Sequence, residues 1–89
     1  MPTELLRVKC RNNGALIITD QFIRVEHGTK QRTMSRSALV GIDNIVGVAA
    51  FLGIGGHRNL IFRSQGTDSI LAEWIKPNEA KEVLSLLGY

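Results

Sequence analysis

Residues 77–88 read PNEAKEVLSLLG, and this segment decides the fold. Its apolar side chains recur at helical spacing and share one face: Ala80, Val83, Leu84 and Leu87. Pro77 suits the first turn of a helix, and Gly88 suits the residue that ends one. The segment therefore predicts one amphipathic helix at the end of the chain, with its apolar stripe buried in the core.

Upstream of this helix, the apolar residues follow the period of β-strands. Residues 5–11 read LLRVKCR, in which apolar and basic side chains alternate strictly from Leu6 onward. Asn13-Gly14 follows, and this pair favours a tight hairpin because both residues tolerate positive φ. Gly41 and Gly47 interrupt a long apolar run and indicate bends. Further strands are expected at residues 15–19, 22–26, 30–35, 38–50, 60–63 and 69–75, with a glycine-rich loop at residues 51–58.

This order of elements predicts a mainly β fold with one C-terminal α-helix. About seven antiparallel strands form a bent sheet or partly open barrel, which the helix caps. A length of 89 residues, of which 44% are hydrophobic, allows one modest core, so residues 1–89 are expected to form a single domain.

Four segments resemble bacterial pleckstrin-homology-like domains and the related GRAM domains. Residues 14–23, GALIITDQFI, are similar to the opening strand, Thr-Asp turn and second strand of these families. Residues 39–45 (LVGIDNI) resemble their middle strand, residues 51–55 (FLGIG) a glycine-containing loop, and residues 74–80 (WIKPNEA) their strand-to-helix junction. Eukaryotic pleckstrin-homology domains usually have a tryptophan inside the final helix, whereas Trp74 lies just before it.

The resemblance implies a seven-stranded bent sheet whose open end is covered by the helix. It also implies a binding or scaffolding module rather than an enzyme, and bacterial members of the family often form homo-oligomers. In such a fold the loops after the first and third strands lie near each other, which would let Arg11 and Lys30 converge on one anion.

Positive charge is concentrated in the first part of the chain. The net charge is +3, but residues 1–36 hold seven basic and three acidic residues and residues 37–89 hold four and five. This asymmetry makes one set of residues a candidate site for anionic lipid or phosphate. A solvated strand face is the other interpretation of the same set, and it is the favoured one. Its members are Arg7, Lys9, Arg11, Lys30, Arg32 and Arg36.

An uncharged stretch, residues 44–56, supplies the candidate contact residues for a partner. If exposed, its large apolar side chains could dock on a protein or enter a membrane; if folded inward, they belong to the core. The candidates are Ile45, Val48, Phe51, Leu52 and Ile54.

The sequence offers no pattern for catalysis, a metal or a cofactor. His27, His57 and Cys10 lack the spacing of metal ligands, and the carboxylates form no recognisable catalytic pair. Gly53, Gly55 and Gly56 match no nucleotide-binding fingerprint. With one cysteine and no apolar leader at the N-terminus, the protein is expected in the cytoplasm, with membrane-peripheral association left open.

We therefore expect a non-catalytic interaction module that acts through protein contacts and self-associates. The expected interface is the edge of Lys30–Ser35 together with Ala38–Ile54. The first alternative is a peripheral binder of anionic lipid through the basic face of the first strand. Nucleic-acid binding is the second, and it is disfavoured because no aromatic residue lies within residues 7–11 or 30–36.

Overall fold

Seven strands form two antiparallel sheets that are followed by one helix. The computed structural model describes residues 3–46, 56–66 and 68–89. The four-stranded sheet has the order β1-β2-β3-β4 and the three-stranded sheet the order β5-β6-β7. The elements are β1 (Glu4–Lys9), β2 (Ala15–Thr19), β3 (Phe22–His27), β4 (Lys30–Ser35), β5 (Leu39–Val46), β6 (Arg58–Ser64), β7 (Ile70–Ile75) and α1 (Pro77–Leu87). The mainly β fold with a C-terminal helix is confirmed, in its open form, since no strand pairing joins the two sheets within the described residues.

The core lies between the two sheets and under the helix. Alternation along each strand sends one set of side chains inward, as with Leu16 and Ile18 on β2 and Leu60 and Phe62 on β6, all fully buried. Ile17 lies on the opposite face, yet it is buried too. Its register partners are arginines on β1 and β3, whose long stems cover apolar surface while their charged ends stay in water.

The first hairpin turns one residue earlier than the sequence indicated. β1 ends at Lys9, and a 3-10 turn at Arg11–Asn13 follows. The positive φ values belong to Asn12 (58°) and Asn13 (60°), whereas Gly14 is extended. Gly14 is needed for a different reason: a Cβ there would lie 2.7 Å from the Glu26 carbonyl oxygen, so only glycine allows the turn to pack against β3.

One boundary in the second half also differs from expectation. β6 begins at Arg58, so this residue belongs to the strand rather than to the expected loop 51–58, and Asn59 is also part of the strand. The bend expected at Gly41 is confirmed by a register shift between Leu39 and Gly41. The bend expected at Gly47 lies outside the described residues.

The terminal helix is confirmed, and half of its predicted stripe is fully buried. Ala80 and Val83 belong to the core, Leu87 packs against its margin, and Leu84 is half-buried outside it. Gly88 has a φ of 81° and donates its N–H to carbonyls of the last turn, which ends the helix as expected. Across the described residues, no helix is both long enough and apolar enough to cross a membrane.

Shortening the central side chain of the stripe tests the contribution of the helix to stability. Val83→Ala removes two fully buried methyl groups and is expected to lower the free energy of unfolding by about 1–3 kcal/mol. Ser85→Ala, at an exposed position of the same helix, is the control and should change it by less than about 0.5 kcal/mol. Equal effects in urea denaturation would mean that α1 is not part of the core.

Candidate functional site

The junction between β7 and α1 contains an unusual backbone conformation. Leu60 of β6 pairs with Ala72, but Arg58 pairs with Ile75, so Glu73 and Trp74 together lie opposite Asn59. Such a bulge bends its strand and re-aims a side chain. Trp74 has a φ of 60°, which is strained for a bulky residue, and its backbone N–H donates to the Asn59 side-chain oxygen at 3.0 Å.

The bulge presents the Trp74 ring at the surface, where two other side chains lie against it. The ring remains 52% exposed. The Arg11 guanidinium carbon is 5.0 Å from the ring centroid, and the His57 ring is stacked at 5.6 Å between centroids. Arg11 is also fixed by an ion pair with Glu73 at 3.2 Å. Residues far apart in the chain therefore form one cationic and aromatic cluster.

A groove of about 360 Å³ lies beside this cluster, between β1 and the junction. Its lining residues are Arg7, Lys9, Cys10, His57, Trp74, Lys76 and Glu79. Three of these are cations and one is a carboxylate. The charge is therefore predominantly positive, and the aromatic cluster forms part of one wall.

The three cations of the groove differ in how they are engaged. Arg7 forms an ion pair with Glu4 at 2.8 Å, and this hydrogen bond and charge raise the pKa of Arg7. The side-chain ammonium groups of Lys9 and Lys76 make no hydrogen bond or ion pair with any residue that the structure describes. These two ammonium groups are the ones available to an incoming anion.

Cys10 lies in the groove but is not a reactive thiol. It is 8% exposed, and burial, together with the nearby charge of Glu79, raises the pKa of its thiol to about 11. The thiol is therefore protonated at neutral pH, and the protonated form is a poor nucleophile.

Titration of Cys10 provides a pH-dependent test of its environment. The unfolded thiol ionises near its usual value of 9.0, while the folded thiol stays neutral until about pH 11. The stabilising contribution of this thiol to the free energy of unfolding is therefore complete below pH 9. It is lost as the pH rises to 11, because the unfolded thiol ionises first. Relative to Cys10→Ala, the wild-type free energy of unfolding should fall by about 2 kcal/mol over that window. Parallel pH profiles for the two proteins would contradict this assignment.

The other predicted basic residues are not among those that line the groove. Arg36 donates to the Thr19 carbonyl oxygen at 3.1 Å and to that of Leu86 at 3.5 Å, so it connects β2 to the end of α1. Arg32 lies 3.9 Å from Asp68 in an exposed ion pair.

Lys30 lies in the hairpin of β3 and β4, at the same end of the sheet as the Arg11 turn. Arg11 itself has left the strand, because β1 ends at Lys9, and its side chain points to β7.

A larger groove of about 510 Å³ separates β4 from the start of β7. Arg32 is the single cation among its lining residues, and it already faces Asp68. This groove therefore lacks the available positive charge that distinguishes the one beside Trp74.

The three-stranded sheet exposes an unusual amount of apolar surface. Among the described residues, five of the eight exposed large hydrophobic side chains lie on β5 or β7, which concentrates them on this sheet. They are Val40, Ile45, Val46, Leu71 and Trp74. The predicted contact residue Ile45 is among them, at 47% exposure; Val48, Phe51, Leu52 and Ile54 lie outside the described residues.

Sequence reasoning missed Trp74, His57, Lys76 and Glu79 as groove residues. The contacts that unite them with β1 span large distances in sequence, 62 residues between Arg11 and Glu73. Residues 7–11 and 30–36 contain no aromatic residue, as the sequence analysis noted, but the fold brings one to them, because β7 places Trp74 against Arg11. The Lys76-Pro77 pair, separated from Trp74 by Ile75, was the available signal, since it places a cation at the start of a helix.

No group of three or more potential metal ligands occurs among the residues that the structure describes. Comparison of the chain with protein-family models, curated proteins and solved structures gives no match.

Proposed function

We propose that this chain is a non-catalytic, cytoplasmic interaction module, of the pleckstrin-homology-like type that its sequence resembles, and that it self-associates through β5. The observation that supports the proposal is the free edge of β5. Among the strands that the structure describes, β5 pairs only with β6, so the other edge of this eight-residue strand has no strand partner. An exposed edge of this length is a template for pairing with another strand.

The composition of β5 distinguishes it from the other candidate edge, β4. β4 carries Lys30 and Arg32, and charged side chains of this kind discourage pairing between molecules. β5 has one charged residue, Asp43, and Arg63 lies 3.5 Å from it on the neighbouring strand. The edge expected at Lys30–Ser35 is thus the protected one, and β5 is the better interface.

The side chains beside the edge favour a second copy of the chain as the partner. Ile45 is exposed on the outer face of the sheet, and Val40 and Val46 are exposed near the two ends of β5. In an isologous dimer, antiparallel pairing of β5 with itself places each residue of one copy against the equivalent surface of the other. Such pairing would give hydrogen-bond partners to the backbone groups on the free edge of β5. It would also cover these apolar side chains.

A charge placed on this edge tests the interface. Sedimentation velocity of the wild type at about 100 µM should give twice the 9.8 kDa mass of the chain. Ile45→Lys should give a monomer, because each copy would then place an ammonium group where the paired sheet has an apolar contact. Circular dichroism should show that the variant stays folded, since Ile45 is already half exposed.

Leu5→Lys is the matched control, because Leu5 is 45% exposed and lies on β1. It should leave the dimer intact. A wild-type monomer at high micromolar concentration would contradict self-association. Dissociation by Leu5→Lys but not by Ile45→Lys would place the interface away from β5.

A further inference from the structure

We propose that the groove between β1 and the β7–α1 junction binds a small phosphate ester with a flat ring, the chemistry of a nucleoside monophosphate. This site is separate from the β5 edge and does not depend on self-association. Three properties of the groove support it: available positive charge, an aromatic wall, and a suitable size.

The charge of the groove suits a phosphate dianion. Lys9 and Lys76 face it without partners among the described residues, and Arg7 adds a guanidinium that it shares with Glu4. Glu79 is the single carboxylate of the lining, which leaves a net charge of +2 with His57 neutral. The Cys10 thiol is neutral and does not oppose an anion. Ammonium groups donate charge-assisted hydrogen bonds to phosphate oxygens.

The aromatic wall suits the ring of the ligand. Trp74 keeps 52% of its surface exposed even with Arg11 and His57 against it, and both rings belong to or border the groove. Stacking on indole and imidazole is tolerant of the identity of a base. The strained φ of Trp74 supports a functional role, because such conformations persist where the surrounding structure holds a side chain in a required position.

The dimensions suit a small molecule. A volume of about 360 Å³ falls at the lower end of the range for small-molecule sites, roughly 300–1,000 Å³. The two unpartnered lysines come from different elements, the end of β1 and the residue before α1, so a phosphate between them would bridge the sheet and the helix.

The fluorescence of Trp74 gives a direct test, because it is the only tryptophan in the chain. Adenosine 5′-monophosphate should change its emission saturably. Adenosine and inorganic phosphate, each lacking one half of the ligand, should bind at least about tenfold more weakly. No saturable change with the monophosphate in calorimetry and fluorescence would overturn the proposal.

Charge-removing variants locate the site. Lys9→Gln and Lys76→Gln should each raise the dissociation constant for the monophosphate about tenfold. Lys81→Gln, at an exposed position of α1 outside the groove, is the matched control and should leave it unchanged. Equal losses in all three variants would show nonspecific electrostatic attraction and contradict a built site.

Vesicles of phosphatidylglycerol separate a soluble ligand from a membrane surface. The proposal requires that the monophosphate binds in the absence of lipid and that it competes with any binding to vesicles. If vesicles bind in a manner that requires Lys9 and Lys76 while the monophosphate does not bind, the groove is a membrane contact and the proposal is wrong.

Discussion

The bulge at Trp74 is the constraint on which the start of α1 and the groove beside it depend. β7 runs inside the core as far as Ala72 and returns to it at Ile75, and between these residues the chain must insert one extra residue opposite Asn59. The Asn59 side chain accepts the backbone N–H that the bulge releases from the ladder. Without that hydrogen bond, the Trp74 N–H would have no partner. The loss would fall on a residue whose backbone is already strained.

Two consequences follow from the bulge. Ile75 returns to the core, so that Lys76 and Pro77 can start α1 at the position where Ala80 and Val83 close the space between the sheets. The Trp74 ring is directed outward, against Arg11, while Lys76 reaches the groove beside Lys9. The same few residues therefore set the packing of the helix and the composition of the groove. The β5 edge lies on the far strand of the same sheet.

Local patterns were enough to predict the elements of the fold. Alternation in residues 5–11 and helical spacing in residues 77–88 report burial on one face, which is a local property of the chain. The hairpin at Asn13-Gly14 was placed within one residue, and the error is instructive. Asparagine tolerates positive φ almost as glycine does, so Asn12 and Asn13 took the turn and left Gly14 for close packing against Glu26.

The groove could not be predicted in the same way, because its residues meet only after the sheets have packed. Arg7 and Lys9 were expected in an anionic site, but their neighbours Trp74 and Lys76 lie more than 60 residues further along the chain. Arg36 looked equivalent to them in sequence, yet it is engaged with the Thr19 and Leu86 carbonyl oxygens. The sequence gives the charge of a residue, but it does not tell whether the folded protein provides that side chain with a hydrogen-bond or ion-pair partner.

The stability of two substitutions at Trp74 tests the bulge most directly. Trp74→Gly and Trp74→Ala remove the same indole, so their difference reports the backbone. At a φ of 60° glycine is unstrained and alanine is not, and Trp74→Gly should be the more stable of the two by about 1 kcal/mol in urea denaturation. In an ordinary strand the order is reversed, with alanine favoured by roughly 0.5–1 kcal/mol. A more stable Trp74→Ala would therefore contradict the strained bulge on which this account of the site rests.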